Sequence, residues 1–275
     1  MDFNHSVYKL KDFYRKLTVP QFTIVTGLIV IFLGTLVLST PFCSSQNVGL
    51  WEAFFTSTSA ITVTGLTVID IGSDLTIFGQ IFLAFMLLSG GLGLMAITTF
   101  LQGFVVKGAK LRTRLDKGKT LDEFGVGGIG RTFQSIAITA ASIISLGAFI
   151  LYFFGFININ NPWERLWVSI FHSISAYNNA GFSIWNTSIY EYRTNFVVNF
   201  VFIVLIVLGG LGWRVIDDIW THRNNLRYKK LTLHSKLVIR TTLNLILFGS
   251  IGFLITESLL NGQFFSDLNF FERIL

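Results

Sequence analysis

Two short runs of this 275-residue chain hold the residue types that could carry chemistry: Thr-Val-Thr-Gly-Leu-Thr at 62–67 and Asn-Asn-Ala-Gly at 178–181. Neither places a nucleophile beside a base. What they offer is main chain. A segment that turns successive carbonyls toward one axis needs unusual backbone angles, and glycine adopts these without a side-chain clash. Carbonyls so aligned can replace the water around a cation. A tight turn is the plainer use of either Gly65 or Gly181 alone. The pair, in register after matching helical segments, favours the ion-facing use.

Other candidates are weaker. His172 has no second His, Cys or carboxylate at metal-ligand spacing, so packing or helix capping is favoured over metal binding. Asp70, Asp74 and Glu191 follow the two runs and could concentrate cations, although solvated loop carboxylates are the simpler reading. Asp217 and Asp218 stand near Arg214 and Arg223, where a structural ion pair is the default and a partner contact the alternative. Gly-Val-Gly-Gly-Ile-Gly, residues 125–130, formally matches the dinucleotide fingerprint but follows a polar run rather than a buried strand, so it reads as a flexible connector. Lone Cys43 excludes an internal disulfide and reads as inert packing. No catalytic set falls at a recognisable spacing, and the chain reads as a non-enzyme.

The elements that must position the two runs are membrane helices. The residues are 52% hydrophobic and 13% charged, with 29 Phe, whereas soluble domains carry about 25% charged residues. Uncharged runs cover 17–51, 75–106, 132–163, 194–213 and, more briefly, 241–256. A helix rises about 1.5 Å per residue, so about 20 apolar residues cross a hydrocarbon core. Four runs suffice; the fifth spans only with 237–239 added and its ends snorkelling. These five stretches hold no ionisable group of the kind an intramembrane enzyme would use. Two further uncharged runs, 53–69 and 166–190, are rich in Ser, Thr, Asn and Gly and read as re-entrant segments.

Charge sets the orientation. Of 21 Lys and Arg, four precede the first span, seven lie between positions 107 and 131, and seven between 214 and 240. The positive-inside rule makes those clusters cytoplasmic, in preference to nucleic-acid binding. Asp2 and Asp12 among the early lysines argue against a cleaved signal peptide, so Met1 is read as opening a cytoplasmic tail.

Internal repetition then organises the chain. Residues 50–67 align without a gap to residues 166–183, with seven of eighteen identical, Gly65 against Gly181 among them. The next apolar run in each case carries Gly-Gly-Leu-Gly, at 90–93 and 209–212; close helix packing is favoured there over a hinge. Residues 50–60 could form about three helical turns, half a bilayer. Their inward-pointing C-terminal end would favour a cation near the midplane.

At these residues the sequence resembles the TrkH/KtrB family of potassium uptake transporters. The resemblance is carried by the two polar loops and the glycine-rich inner helices, most strongly over 50–220. It implies an all-α integral membrane fold of repeated helix, re-entrant pore loop, helix units around a pseudo-fourfold pore, incomplete in this chain. The units would be a tail at 1–18, a first repeat at 19–118, a connector at 119–130, a second repeat at 131–230, and at 231–275 the outer helix and pore-helix start of a third. Filter residues would be Thr62, Val63, Thr64, Gly65, Asn178, Asn179, Ala180 and Gly181, and glycine rather than serine at 65 implies potassium over sodium.

The resemblance also implies K+ as transported ion with no tightly bound cofactor, a homodimer, and a cytoplasmic nucleotide-binding regulatory subunit. It places the chain in the cytoplasmic membrane with its N-terminus inside. Sodium coupling, proton coupling and gated diffusion stay open, and a non-transporting anchor or assembly fragment is the alternative. With two filters present, a truncated or split copy is favoured over a natural two-unit protein that dimerises.

Overall fold

The computed structural model describes residues 19–45, 48–91, 129–222 and 231–259. The expected tail at 1–18, the connector up to 128 and the third pore-helix start at 268–275 lie outside the described residues. Among those described, helices and their connections account for the chain; the one exception is an isolated antiparallel bridge between Ser44 and Leu75.

The first unit comprises α1 (Val19–Leu38), α2 (Leu50–Thr62), the short α3 (Ile71–Asp74) and α4 (Ile77–Gly91). The second comprises α5 (Ile129–Ile150), which runs into a π-helical turn at Leu151–Gly155, then α6 (Pro162–Tyr177), α7 (Phe196–Leu211) and α8 (Trp213–Thr221). Helix α9 (Leu233–Leu259) follows. In each unit the short central helix, α2 or α6, is clasped between its flanking long helices, and α4 also packs against α6. The core is built there from Leu38, Leu83 and Leu87 in the first unit and Leu151, Phe156, Phe171 and Val198 in the second.

Segments Gln134–Gly155 and Leu233–Thr256 are long and apolar enough to cross a membrane, and α7 with α8 would make a third if counted as one bent span. Some hydroxyls on the apolar helices are satisfied within the helix, as Thr35 Oγ1 on α1 by the Ile31 carbonyl (2.8 Å) and Ser142 Oγ on α5 by that of Ile138 (2.8 Å). An unpaired hydroxyl facing lipid would be costly. Apolar side chains of α9 such as Leu245 and Phe248 are exposed, as befits a lipid-facing or partner-facing helix.

Three details differ from the sequence expectation. The second re-entrant helix starts at Pro162, taking in Glu164 and Arg165, because Asn161 caps it by accepting from the Trp163 N–H (3.0 Å) and Pro162 needs no intrahelical donor. The uncharged run at 194–213 does not stay straight: Gly212 (φ 79°) breaks it, and α8 leaves at 94° to α7. Asp218 pairs with no arginine among the described residues. Its carboxylate accepts from the N–H and hydroxyl of Thr232 (3.0 and 2.9 Å) and lies 3.2 Å from His222 Nδ1. Thr232 in turn caps α9, its hydroxyl accepting from the Ser235 N–H (3.3 Å).

One buried amide joins the two units. Gln80 on α4 donates to the Ile71 and Leu75 carbonyls (3.2 and 3.3 Å) and accepts from the Trp167 indole on α6 at 2.7 Å. Trp167→Phe keeps an aromatic side chain but removes the indole N–H and strands the buried Gln80 oxygen. The expected cost is about 1–3 kcal/mol, seen as a lower unfolding temperature of the detergent-purified protein; an unchanged temperature would show that this bond contributes nothing.

Candidate functional site

The site is built from the ends of α2 and α6. Helix α2 enters with the Gly49 N–H donating to the Glu52 carboxylate (2.5 Å), an acid also suited to the positive end of the helix. Its inward face is polar for a core: Thr56, Ser57 and Ser59 are buried there beside Ala53 and Ala60. On α6 the buried face carries Ser169, His172, Ser173 and Ser175.

Both helices stop in the same way. Val63 N–H bonds the Ala60 carbonyl and Thr64 N–H bonds that of Ser59 (3.4 and 2.9 Å); 116 residues later, Asn179 N–H bonds Ala176 and Ala180 N–H bonds Ser175 (3.1 and 2.8 Å). This crossed pair of bonds is the Schellman closure, which places the residue after the cap in the left-handed region. Val63 and Asn179 both sit there, each at φ 55°. For a β-branched residue such as Val63 the conformation costs about 1–2 kcal/mol, and strain of this kind gathers at functional sites.

Two residues further on, the glycines repeat the pattern, with Gly65 at φ 83° and Gly181 at φ 72°. They also meet. A Cβ on Gly65 would lie 2.5 Å from the Ala180 carbonyl oxygen and 3.3 Å from Gly181 Cα, and one on Gly181 would lie 3.4 Å from Gly65 Cα. The two loops thus approach main chain to main chain, at the C-terminal and hence partly negative ends of α2 and α6.

The remaining expected residues fall into distinct settings. Thr62 and Thr64 are exposed, and their hydroxyls share a hydrogen bond (2.6 Å). Asn179 is exposed and Ala180 buried. Asn178 is buried: its amide donates to the Ile174 carbonyl (2.8 Å), while its Oδ1, without a hydrogen-bond partner among the described residues, sits against Gly91 of α4.

Behind the loops, His172 is buried, stacked on Trp185 at 4.4 Å and held by the Val168 carbonyl (2.9 Å) and Ser183 hydroxyl (3.0 Å). Asp70 caps α3 through the Gly72 N–H (3.0 Å), and Asp74 accepts from the Asp70 N–H (2.9 Å). These two carboxylates therefore have local structural work. The glycine clusters pack closely: Gly90 lies on the Ile61 carbonyl of α2 and Gly209 on the Tyr177 carbonyl of α6, equivalent positions in the two units.

Sequence reasoning passed over Ser59 and Ser175, which bond the residues after the glycines, and the Gln80–Trp167 link. Ser59 and Ser175 had left a signal, being among the identities of the repeat.

The TrkH family profile, described as a cation transport protein, matches residues 9–266. The chain belongs to the TrkH family. Among its relatives is the Ktr system potassium uptake protein B of Bacillus subtilis (strain 168), 33% identical over 84% of this chain and 51% of that protein. The protein of the same name from Vibrio alginolyticus is 30% identical over 86% of this chain and 52% of its own length. The potassium/sodium uptake protein NtpJ of Enterococcus hirae is 33% identical over 96% of this chain and 58% of its own. The chain thus spans about half the length of the curated relatives it matches.

Gly90→Val and Gly209→Val each drive a branched side chain into a main-chain carbonyl, with an expected destabilisation of about 1–3 kcal/mol. Gly249→Val on α9, where a Cβ meets nothing within 4 Å, is the control. Unfolding temperatures in detergent should rank the two site variants well below it.

Proposed function

We propose that the chain forms part of a potassium-uptake pore in the cytoplasmic membrane, with Thr62, Val63, Thr64 and Gly65 and with Asn178, Asn179, Ala180 and Gly181 as two of its ion-facing segments. The observation that carries this reading is the approach of Gly65 and Gly181, both left-handed, at the ends of two helices closed by the same hydrogen bonds. Carbonyls supply the ligands. Asn178, its side chain turned toward α4, contributes through its main chain only.

Relatives named for potassium uptake and for potassium/sodium uptake support the ion class, and glycine at 65 favours potassium. The words "Ktr system" in two of those names support a partner component. We assign that role to a cytoplasmic nucleotide-binding regulatory subunit, and a second copy of the transporter subunit to a homodimer. The basic clusters support an N-terminus on the cytoplasmic side.

The test is growth of a bacterium without its own potassium uptake systems on limiting potassium. The parent gene should restore growth. Gly65→Ser, which must place a side chain at φ 83° against the Ala180 carbonyl, should raise the potassium needed for half-maximal growth about tenfold, the equivalent of a 1–2 kcal/mol left-handed penalty. Absence of rescue by the parent gene, with the protein present in the membrane, removes the transport reading.

A further inference from the structure

We infer that Ser59 and Ser175 are positioning residues that latch the two ion-facing segments from behind, each gripping its loop on both sides of the glycine. The inference rests on the transport reading above. It comes from a correspondence between the units that helix propensity and packing do not require.

Ser59 uses two of its groups. Its carbonyl accepts from the Thr64 N–H at 2.9 Å, immediately before Gly65, and its hydroxyl accepts from the Leu66 N–H at 3.0 Å, immediately after. Ser175, 116 residues on, does the same to the second loop. Its carbonyl accepts from the Ala180 N–H at 2.8 Å, and its hydroxyl donates to the Phe182 carbonyl at 2.6 Å. Both serines are buried, at 4% and 3% exposure. The carbonyl half of each grip belongs to ordinary helix closure. The hydroxyl half does not, and it reaches over the glycine to fix the chain beyond it.

The physics gives this consequence. A glycine leaves its own backbone angles the least constrained of any residue, so a loop that needs Gly65 or Gly181 to aim its carbonyls is also free to mis-aim them. Holding the residue before and the residue after restricts that freedom without a side chain on the ion-facing side. Serine suits the role because its hydroxyl is short and serves as donor or acceptor, and both uses occur here. The two latches engage opposite groups of the loop, an N–H in the first and a carbonyl in the second. The first therefore leaves the Leu66 carbonyl unengaged by the latch, while the second commits that of Phe182.

Ser59→Ala and Ser175→Ala remove only the hydroxyl. The readout is the stabilisation of the purified whole chain by K+, Rb+, Cs+ or Na+ against choline, followed by thermal unfolding. A merely structural role would lower the unfolding temperature in every ion alike. A latch should in addition reduce the K+ over Na+ preference about fivefold for each hydroxyl lost, over and above any fall common to all ions, and the preference should be restored by Ser→Thr.

A selective parent whose Ala variants keep the same ratio overturns the latch while leaving the transport reading intact. A parent with no preference for K+ overturns the transport reading and this inference with it. Should the Ala variants fail to fold, hydrogen exchange of the parent decides: the Leu66 amide must be protected, and free exchange there overturns the Ser59 latch.

Discussion

A helix that ends inside a low-dielectric layer has four carbonyls to satisfy and no water with which to do it. Helices α2 and α6 meet a form of this requirement, since Ser59 and Ala60 at the end of one and Ser175 and Ala176 at the end of the other are buried. Two carbonyls of each are closed by N–H groups of the chain turning away, which forces Val63 and Asn179 into the left-handed region. A third is covered by a glycine of the neighbouring long helix, Gly90 over Ile61 and Gly209 over Tyr177. The polar buried face of each helix, the glycine pairs and the close approach of the loops all follow from where these two helices stop. An apolar core of ordinary design would have no use for so many buried serines.

The two units reach the same backbone with different side chains. Thr62, Val63 and Thr64 correspond to Asn178, Asn179 and Ala180, yet the helix closures, the positive φ angles and the serine hydrogen bonds coincide. What the duplicated sequence preserves is main-chain geometry. That is the expected outcome when the working groups are carbonyls, since a carbonyl's direction depends on φ and ψ and little on the side chain. The hydroxyl pair of Thr62 and Thr64 has no counterpart in the second unit, so the two loops present unlike flanks around like backbones.

Much of this was legible in the sequence. Gapless alignment of 50–67 with 166–183 located both loops and the two glycines, and the matching Gly-Gly-Leu-Gly clusters located the inner helices. Charge-free runs marked the apolar helices, although among the described residues only Gln134–Gly155 and Leu233–Thr256, with α7 and α8 as a bent third, are long enough to cross a membrane. The start of α6 was misplaced by counting charges: Glu164 and Arg165 lie inside the helix, and the signal that sets its boundary is Asn161-Pro162. The bend at Gly212 was hidden because a glycine in an apolar run is as readily a packing residue as a break. Gln80 with Trp167, and Asp218 with Thr232, join positions 87 and 14 residues apart, and pairing at such separations leaves no periodic trace. Ser59 and Ser175 were visible as identities but silent as to role until the loops had been placed over them.

Helix α4 touches α6 near both ends, through Gln80 on the Trp167 indole and through Gly91 on the Asn178 side chain. The inner helix of one unit is thereby wedged against the re-entrant helix of the next. Any tilt of α4 must either break one of these contacts or carry the second loop with it. A displacement of α4 therefore reaches the loop of the second unit as well as that of its own, since Gly90 on the same helix lies against the Ile61 carbonyl of α2.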